Sequence, residues 1–235
     1  MSRYTIYLLP SLTALFVWFC TYFELNTDFV VPSILFFMLT YGTFNFSRFS
    51  NVQRLIFIYV AFSALTEVFA YHLGLVYQNN HKASHFFCLI QTILYTGIYS
   101  YLLMPKKKYL YLLWFICALI LSVELLYSFV FRSVYVFPSL SIVLLCGFVL
   151  TLSLLQFRSM ILFPVTEKLE NQPVFWFNFG TLIAYSFGFF FLGFLSTTKN
   201  LPNEMYTIWW GTAIYLCACY FMSLYLDDQP TKPIV

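Results

Sequence analysis

The chain has 235 residues, of which 61% are hydrophobic and 9% are charged, and its formal net charge at pH 7 is +3. An ordinary soluble domain has roughly 25% charged residues, so a water-soluble fold around one hydrophobic core is excluded. These values predict an all-α, polytopic transmembrane helix bundle whose main partner is the lipid bilayer, with no nucleic-acid partner.

Eight apolar segments are each long enough to cross the hydrocarbon core, which takes about 20 residues. In chain order they are Tyr4–Phe23, Phe29–Phe46, Arg54–Tyr77, Ser84–Met104, Tyr109–Val130, Tyr135–Phe157, Pro173–Ser196 and Glu204–Leu226. Only residues 24–28 separate the first two, and their acidic residues would be costly in hydrocarbon if one bent helix contained them. No loop is long enough for a soluble domain, so we expect residues 1–235 to form a single integral membrane domain.

The basic residues are unevenly distributed between the two sides of this predicted bundle. With eight spans, the side that holds nine of them has Arg3, Arg48, Arg54, Lys106, Lys107, Lys108, Arg158, Lys168 and Lys232. The other side holds Lys82, Arg132 and Lys199. Because short cytoplasmic loops collect Lys and Arg, we expect both termini to be cytoplasmic. The first span has no small-residue cleavage site after it, so we interpret it as an uncleaved signal anchor.

The cysteines and histidines give little support for a metal or a disulfide framework. All six cysteines fall within predicted spans, where they are interpreted as small apolar packing residues: Cys20, Cys88, Cys117, Cys146, Cys217 and Cys219. His81, His85 and Cys88 have the spacing of a soft-metal site on one helix face. The adjacent Asn79 and Asn80 instead favour a turn with two solvated histidines. We therefore predict no metal and no cofactor.

Polar side chains inside the spans are the candidates for function, because such residues are expensive in a membrane. Glu67, Gln91 and Glu124 all lie about 20 Å from the basic side, at a rise of 1.5 Å per residue. Tyr71 lies one turn after Glu67. One interpretation is a polar pocket, open to the outside, in which these four residues bind a small ligand or a proton. The alternative is structural: protonated acids that hydrogen-bond between helices.

The seventh span combines a small-residue face with a polar face. Gly180, Ala184 and Gly188 recur every four residues, which allows another helix to approach closely. Asn178 and Tyr185 lie on the other side of the same helix. This pattern predicts helix-packing roles for the three small residues and an internal position for the span.

Three parts of the sequence carry a resemblance to a known family: residues 65–69 (Leu-Thr-Glu-Val-Phe), Asn79-Asn80, and residues 173–183, which begin Pro-Val-Phe-Trp. Over about residues 29–226, the chain resembles a family of small bacterial inner-membrane proteins, usually of about seven helices. Its members have a Pro-x-Phe-Trp motif at the start of the penultimate helix and no assigned activity. The resemblance implies a multi-pass protein of the bacterial cytoplasmic membrane. The resemblance also implies a genomic association with two-component sensors, near which many members are encoded.

The chain departs from this family's pattern at several polar positions, although Glu67 and Asn178 fit it. Relatives tend to have an acid at the position of Gln91 and another near Val143. In the last helix they have His and Asn, whereas this chain has Gly211, Thr212 and Cys217 in that region. The resemblance therefore implies a site that differs from that of the relatives at these positions.

Three functions remain open on the sequence alone. The first is a non-enzymatic sensory or accessory signalling module with a polar pocket in the outer half of the membrane and a signalling partner. The second is a small-solute transporter, which needs a polar path across both leaflets, whereas the inner half offers little beyond Asn178. The third is a membrane-embedded lipid-modifying enzyme, which needs clustered catalytic groups, and no Ser-His motif supports it.

Overall fold

The computed structural model describes residues 30–103, 107–131, 137–163, 168–195 and 203–228. This part of the chain is all-α and contains no strand. Its helices are α1 Val30–Asn45, α2 Asn51–Tyr77, α3 His81–Leu103, α4 Lys107–Leu126, α5 Ser139–Leu162, α6 Pro173–Leu195 and α7 Asn203–Asp228. All seven are long and apolar enough to cross a membrane. The predicted count of eight is not confirmed, because Tyr4–Phe23 lies outside the described residues.

Several helix ends differ from the ends of the predicted spans, because capping hydrogen bonds and proline set where a helix begins. Ser50 caps α2 by accepting the Gln53 N–H at 3.4 Å, so this helix begins before Arg54. Pro138 precedes Ser139, the first residue of α5, and the predicted start at Tyr135 lies outside the described residues. Because proline has no N–H, it is tolerated at a helix start and disfavoured in the interior.

A tight turn joins α2 to α3. Gln78 adopts a left-handed conformation with φ 51° after the last turn of α2. Asn79 Oδ1 then accepts the backbone N–H of His81 at 2.9 Å. This bond satisfies one of the free donors at the start of α3, so the helix begins at His81, three residues before the predicted span.

Six helices form a ring in which each contacts the next in the order α1, α2, α3, α5, α6, α7, and α7 contacts α1 to close it. Helix α4 lies outside the ring, against α3 and α5. It buries one stripe of side chains, which includes Leu113, Cys117 and Glu124, while most of its surface is apolar and exposed. Such a surface is suited to lipid, so α4 is a peripheral helix of the bundle.

The described basic residues cluster at one end of the bundle, because consecutive helices run in opposite directions. This end carries Arg48, Arg54, Lys107, Lys108, Arg158 and Lys168. The opposite end carries Lys82. We call the part of the ring nearer the first group the basic half, and the other part the opposite half.

Candidate functional site: a cavity enclosed by six helices

The ring surrounds a partly open cavity of ≈ 440 Å³ in its opposite half. Asn80 and Phe137, which lie in the loops at that end, contribute to the wall together with side chains from α1, α2, α3, α5, α6 and α7. Helix α4 contributes no lining residue. The wall is mainly aliphatic and aromatic, so the space is suited to an apolar molecule.

One face of α2 supplies a polar strip to this wall. Ser63, Thr66 and Glu67 line the cavity and have the spacing of neighbours on one helix face. Glu67 is exposed rather than packed among other side chains. Among the described lining residues it is the only carboxyl group, and none of them is Lys, Arg or His. The cavity therefore carries at most one charge, and that charge is negative.

Gln91 forms part of the cavity floor and connects it to a group of buried tyrosines. Its amide nitrogen donates to the Tyr59 hydroxyl at 2.9 Å and also to the Tyr185 hydroxyl. The Tyr95 and Tyr220 hydroxyls hydrogen-bond to each other. The Tyr95 ring lies 5.0 Å from that of Tyr59 and 5.2 Å from that of Tyr185. We call Tyr59, Tyr95, Tyr185 and Tyr220 the tyrosine cluster.

Sequence reasoning singled out Tyr185 as a polar residue and missed the other three members of the tyrosine cluster. The chain has nineteen tyrosines, and their positions alone do not separate those that face lipid from those that face a core. The signal that could have identified the buried tyrosines is their position on a helix that packs against other helices on several sides. Tyr95 has this property, since α3 contacts α2, α4 and α5.

Buried polar groups continue below the tyrosine cluster into the basic half. Asn178 is fully buried, and its side-chain oxygen accepts hydrogen bonds from Tyr99 at 2.8 Å and Ser153 at 2.9 Å. Its nitrogen donates to the Ser153 carbonyl oxygen at 3.1 Å. Nearby, the hydroxyls of Thr181 and Tyr220 lie 2.8 Å apart. The basic half is thus more polar than the sequence suggested, and its polar groups bind each other.

The four predicted ligand-binding residues do not lie together. Glu67 and Gln91 line the cavity, whereas Tyr71 and Glu124 do not. Tyr71 is 56% exposed on the surface of α2. Glu124 is 2% exposed on the ring-facing side of α4, and neither of its carboxyl oxygens has a hydrogen-bond partner. Two of the four predicted residues therefore lie at the cavity, and the other two lie outside it.

A second polar contact lies between α3 and the π-helical turn Tyr127–Phe131, which directly follows α4. The Ser128 hydroxyl lies 2.7 Å from His85 Nδ1, and both side chains are buried. The expectation of a solvated His85 was therefore wrong. The sequence also gave no sign of this Ser-His pair, because the residues are 43 positions apart. Glu124 cannot orient His85 as the acid of a catalytic triad does, because its oxygens have no partner.

The described residues contain no group of three or more His, Cys, Asp or Glu side chains that could hold a metal ion. His81 instead packs edge-on against the Phe137 ring, with 5.7 Å between the ring centroids. Cys88 lines the cavity wall. The three residues with metal-like spacing thus make separate contacts.

The small residues of α6 divide between two roles. A Cβ atom at Gly180 would lie 2.5 Å from the Cys219 Cβ of α7, a distance at which one backbone must shift. A Cβ atom at Gly188 would lie 3.3 Å from Cys146 Sγ. Gly188 and Ala184 also line the cavity. Gly180 therefore lies at a close helix–helix contact, while Ala184 and Gly188 help to leave space.

Comparison of the chain with protein-family models, curated proteins and solved structures finds no match in any of the three.

Proposed function

We propose that this protein is a non-enzymatic sensory or accessory signalling module that binds a small ligand within the membrane. The observation that carries the proposal is the cavity of ≈ 440 Å³ bounded by six helices. Ligand sites in proteins have volumes of about 300–1,000 Å³ and mainly apolar walls with a few polar groups. The cavity has both properties, because only Glu67, Gln91 and some hydroxyl and amide groups interrupt its apolar wall.

The same geometry supports a role in signalling. A ligand in this cavity contacts several helices at once, so it favours the helix arrangement that fits it best. Gln91 joins the cavity to Tyr59 and Tyr185, and Tyr220 of the same cluster contacts Thr181 in the basic half. We expect ligand binding to alter packing along this route. A partner protein in the membrane would detect the change.

The proposed location is the bacterial cytoplasmic membrane, with both termini in the cytoplasm. The cluster of basic residues at one end of the described helices supports this orientation, because short cytoplasmic loops are rich in Lys and Arg. It would place the cavity in the outer half of the membrane. Reporter fusions at Ser2 and Val235 test both ends, and a periplasmic signal at Ser2 alone would remove the first predicted hairpin.

The binding proposal is tested by filling the cavity. Ala213 lines it from α7, whereas Ala118 is exposed on the outer surface of α4. The probes are propylbenzene and 3-phenylpropanol, measured by equilibrium dialysis of the protein in phosphatidylcholine nanodiscs against protein-free nanodiscs. We expect saturable binding that Ala213→Phe removes and Ala118→Phe preserves. Equal binding by both variants would mean partitioning into lipid and would contradict the proposal.

A small-solute transporter is the second candidate, and one observation favours it. Buried polar groups extend past the cavity floor to Tyr99, Asn178 and Ser153 in the basic half. Proteoliposomes that contain the pH-sensitive dye pyranine test whether this route carries protons. A proton flux that Asn178→Leu abolishes would favour the transporter, whereas binding without flux would favour the sensory module.

A further inference from the structure

We propose that the cavity selects a ligand with one ammonium group on an apolar body. This inference rests on the proposed binding function and specifies its ligand class. The described wall holds a single carboxyl group, Glu67, and no basic side chain. An ionised carboxyl group away from water needs a partner of opposite charge, and an ammonium group on the ligand supplies one. An anionic ligand would meet no positive charge in this wall and would be repelled by Glu67.

The hydrogen-bonding groups of the cavity favour a donor on the ligand. Both N–H groups of the Gln91 amide are used, because its nitrogen donates to Tyr59 and to Tyr185. This leaves the amide oxygen of Gln91 to accept a hydrogen bond from a ligand. The Glu67 carboxylate is also an acceptor. An ammonium group has N–H donors and no acceptor, so it matches both groups.

Aromatic residues complete the fit to a cation with an apolar body. Phe87, Phe137, Trp209 and the tyrosines of the floor contribute to the wall. Aromatic ring faces attract cations and also bury apolar surface. The Trp209 ring is stacked on Phe191 with 5.1 Å between centroids, which holds the indole in place. Such a wall binds the apolar body without adding a second charge.

The depth of Glu67 sets the size of the ligand. This residue is about 15 Å from the end of α2 at Tyr77, at 1.5 Å per residue. An ammonium group that reaches it is therefore well inside the membrane layer, and the rest of the molecule must occupy the apolar space around it. A body the size of a phenylalkyl group meets this requirement better than a fully hydrated small cation.

A series of three probes of similar shape tests the proposal. These are 2-phenylethylammonium, its neutral isostere propylbenzene, and the anion 3-phenylpropanoate. Binding is measured by equilibrium dialysis of the full chain in nanodiscs of zwitterionic phosphatidylcholine, so that lipid charge does not concentrate the cation. We expect the cation to bind at least tenfold more tightly than propylbenzene, and the anion to bind most weakly. Equal affinities for the cation and propylbenzene would overturn the proposal.

Two carboxyl variants provide the matched comparison. Glu67→Gln should lower affinity for the cation at least tenfold and leave propylbenzene within twofold. Glu124→Gln removes a carboxyl group outside the cavity and should change neither. An unchanged cation affinity in Glu67→Gln would overturn the proposal. If that variant does not fold, Glu67→Asp takes its place: it keeps the charge and must keep the cation preference, and loss of the preference would contradict the role of the charge.

The failure of this inference differs from the failure of the proposed function. Saturable binding that Ala213→Phe removes, without preference for the cation, would overturn only the ligand class. No saturable binding of any probe, or binding that Ala213→Phe leaves unchanged, would overturn the binding function itself.

Discussion

In the basic half of the ring, α6 and α7 come so close that Gly180 has no room for a side chain, whereas in the opposite half residues of the same two helices line a cavity. The polar groups differ in the same way. Asn178 binds Tyr99 and Ser153, while Glu67 faces open space. Polar residues in a membrane bundle thus have two uses: those that satisfy each other hold the helices together, and those that do not are available to a ligand.

The largest loss of stability is expected at the close contact between α6 and α7 in the basic half. Gly180→Ala places a Cβ atom 2.5 Å from the Cys219 Cβ, and overpacking of this kind costs about 1–3 kcal/mol. Gly188→Ala should cost less, because its nearest neighbour is the Cys146 sulfur at 3.3 Å. Thermal unfolding in detergent measures both. Gly97→Ala is the control, since nothing lies within 4 Å of a Cβ there, and equal losses at all three sites would contradict the comparison.

The hydrogen-bond group around Asn178 gives the next largest effect. Asn178→Ala leaves the buried Tyr99 hydroxyl without its acceptor, which costs about 1–3 kcal/mol. The Ser153 hydroxyl keeps the backbone carbonyl oxygen of residue 178, at 3.1 Å, as an acceptor. Tyr99→Phe should cost less than Asn178→Ala. Because the two residues share one hydrogen bond, the double variant should be less destabilised than the sum of the single variants. Additive losses in unfolding measurements would show that Asn178 acts without Tyr99.

Replacement of Glu124 should not destabilise the bundle, in contrast to the two sites above. Its carboxyl oxygens are buried without a partner, and replacing such a group by an apolar one of similar size removes a desolvation cost of about 1–3 kcal/mol. Glu124→Leu is therefore expected to leave stability unchanged or to raise it by about 1 kcal/mol. A clear loss in the unfolding temperature would mean that this carboxyl group has a stabilising partner in the membrane.

Residues that line the cavity should also be more accessible to small reagents than residues at the close helix contact. The reaction rates of two native cysteines of α7 measure this difference. Cys217 lines the cavity, while Cys219 packs against Gly180. A small thiol reagent such as N-ethylmaleimide should modify Cys217 faster than Cys219, as read by mass spectrometry of peptides. Ala213→Phe should slow the reaction at Cys217 and leave Cys219 unaffected. Equal rates for both thiols would mean that the cavity is not accessible from outside the bundle.

The helices were predictable because membrane spans depend on length and composition, which the sequence contains directly. All seven predicted spans after the first overlap a described helix. Their ends were less predictable, since they depend on single hydrogen bonds such as those of Ser50 and Asn79. The sequence contains these residues but does not rank their capping bonds against competing ones.

The candidate site was only partly predictable. Counting residues along a helix gives depth, and Glu67 and Gln91, which have similar predicted depths, both line the cavity. It does not give the direction in which a side chain points or the neighbour of each helix, and the structure places Glu124 and Tyr71 outside the cavity. Glu124 lies outside the cavity because α4 packs outside the ring. The position of α4 follows from packing between helices that are distant in sequence.

The ring is closed by its last helix, which has a consequence for biosynthesis. Helix α7 supplies Trp209, Ala213, Cys217 and other lining residues, and Asp227 at its end accepts the N–H of Ser50 at 2.7 Å across 177 positions of sequence. A ribosome delivers α7 only after all the other described helices. Until then, Glu67 and the polar floor face lipid or an insertion chaperone rather than α7. A nascent chain that stalls before this helix therefore has no closed ring around the cavity and no Asp227 to accept the N–H of Ser50.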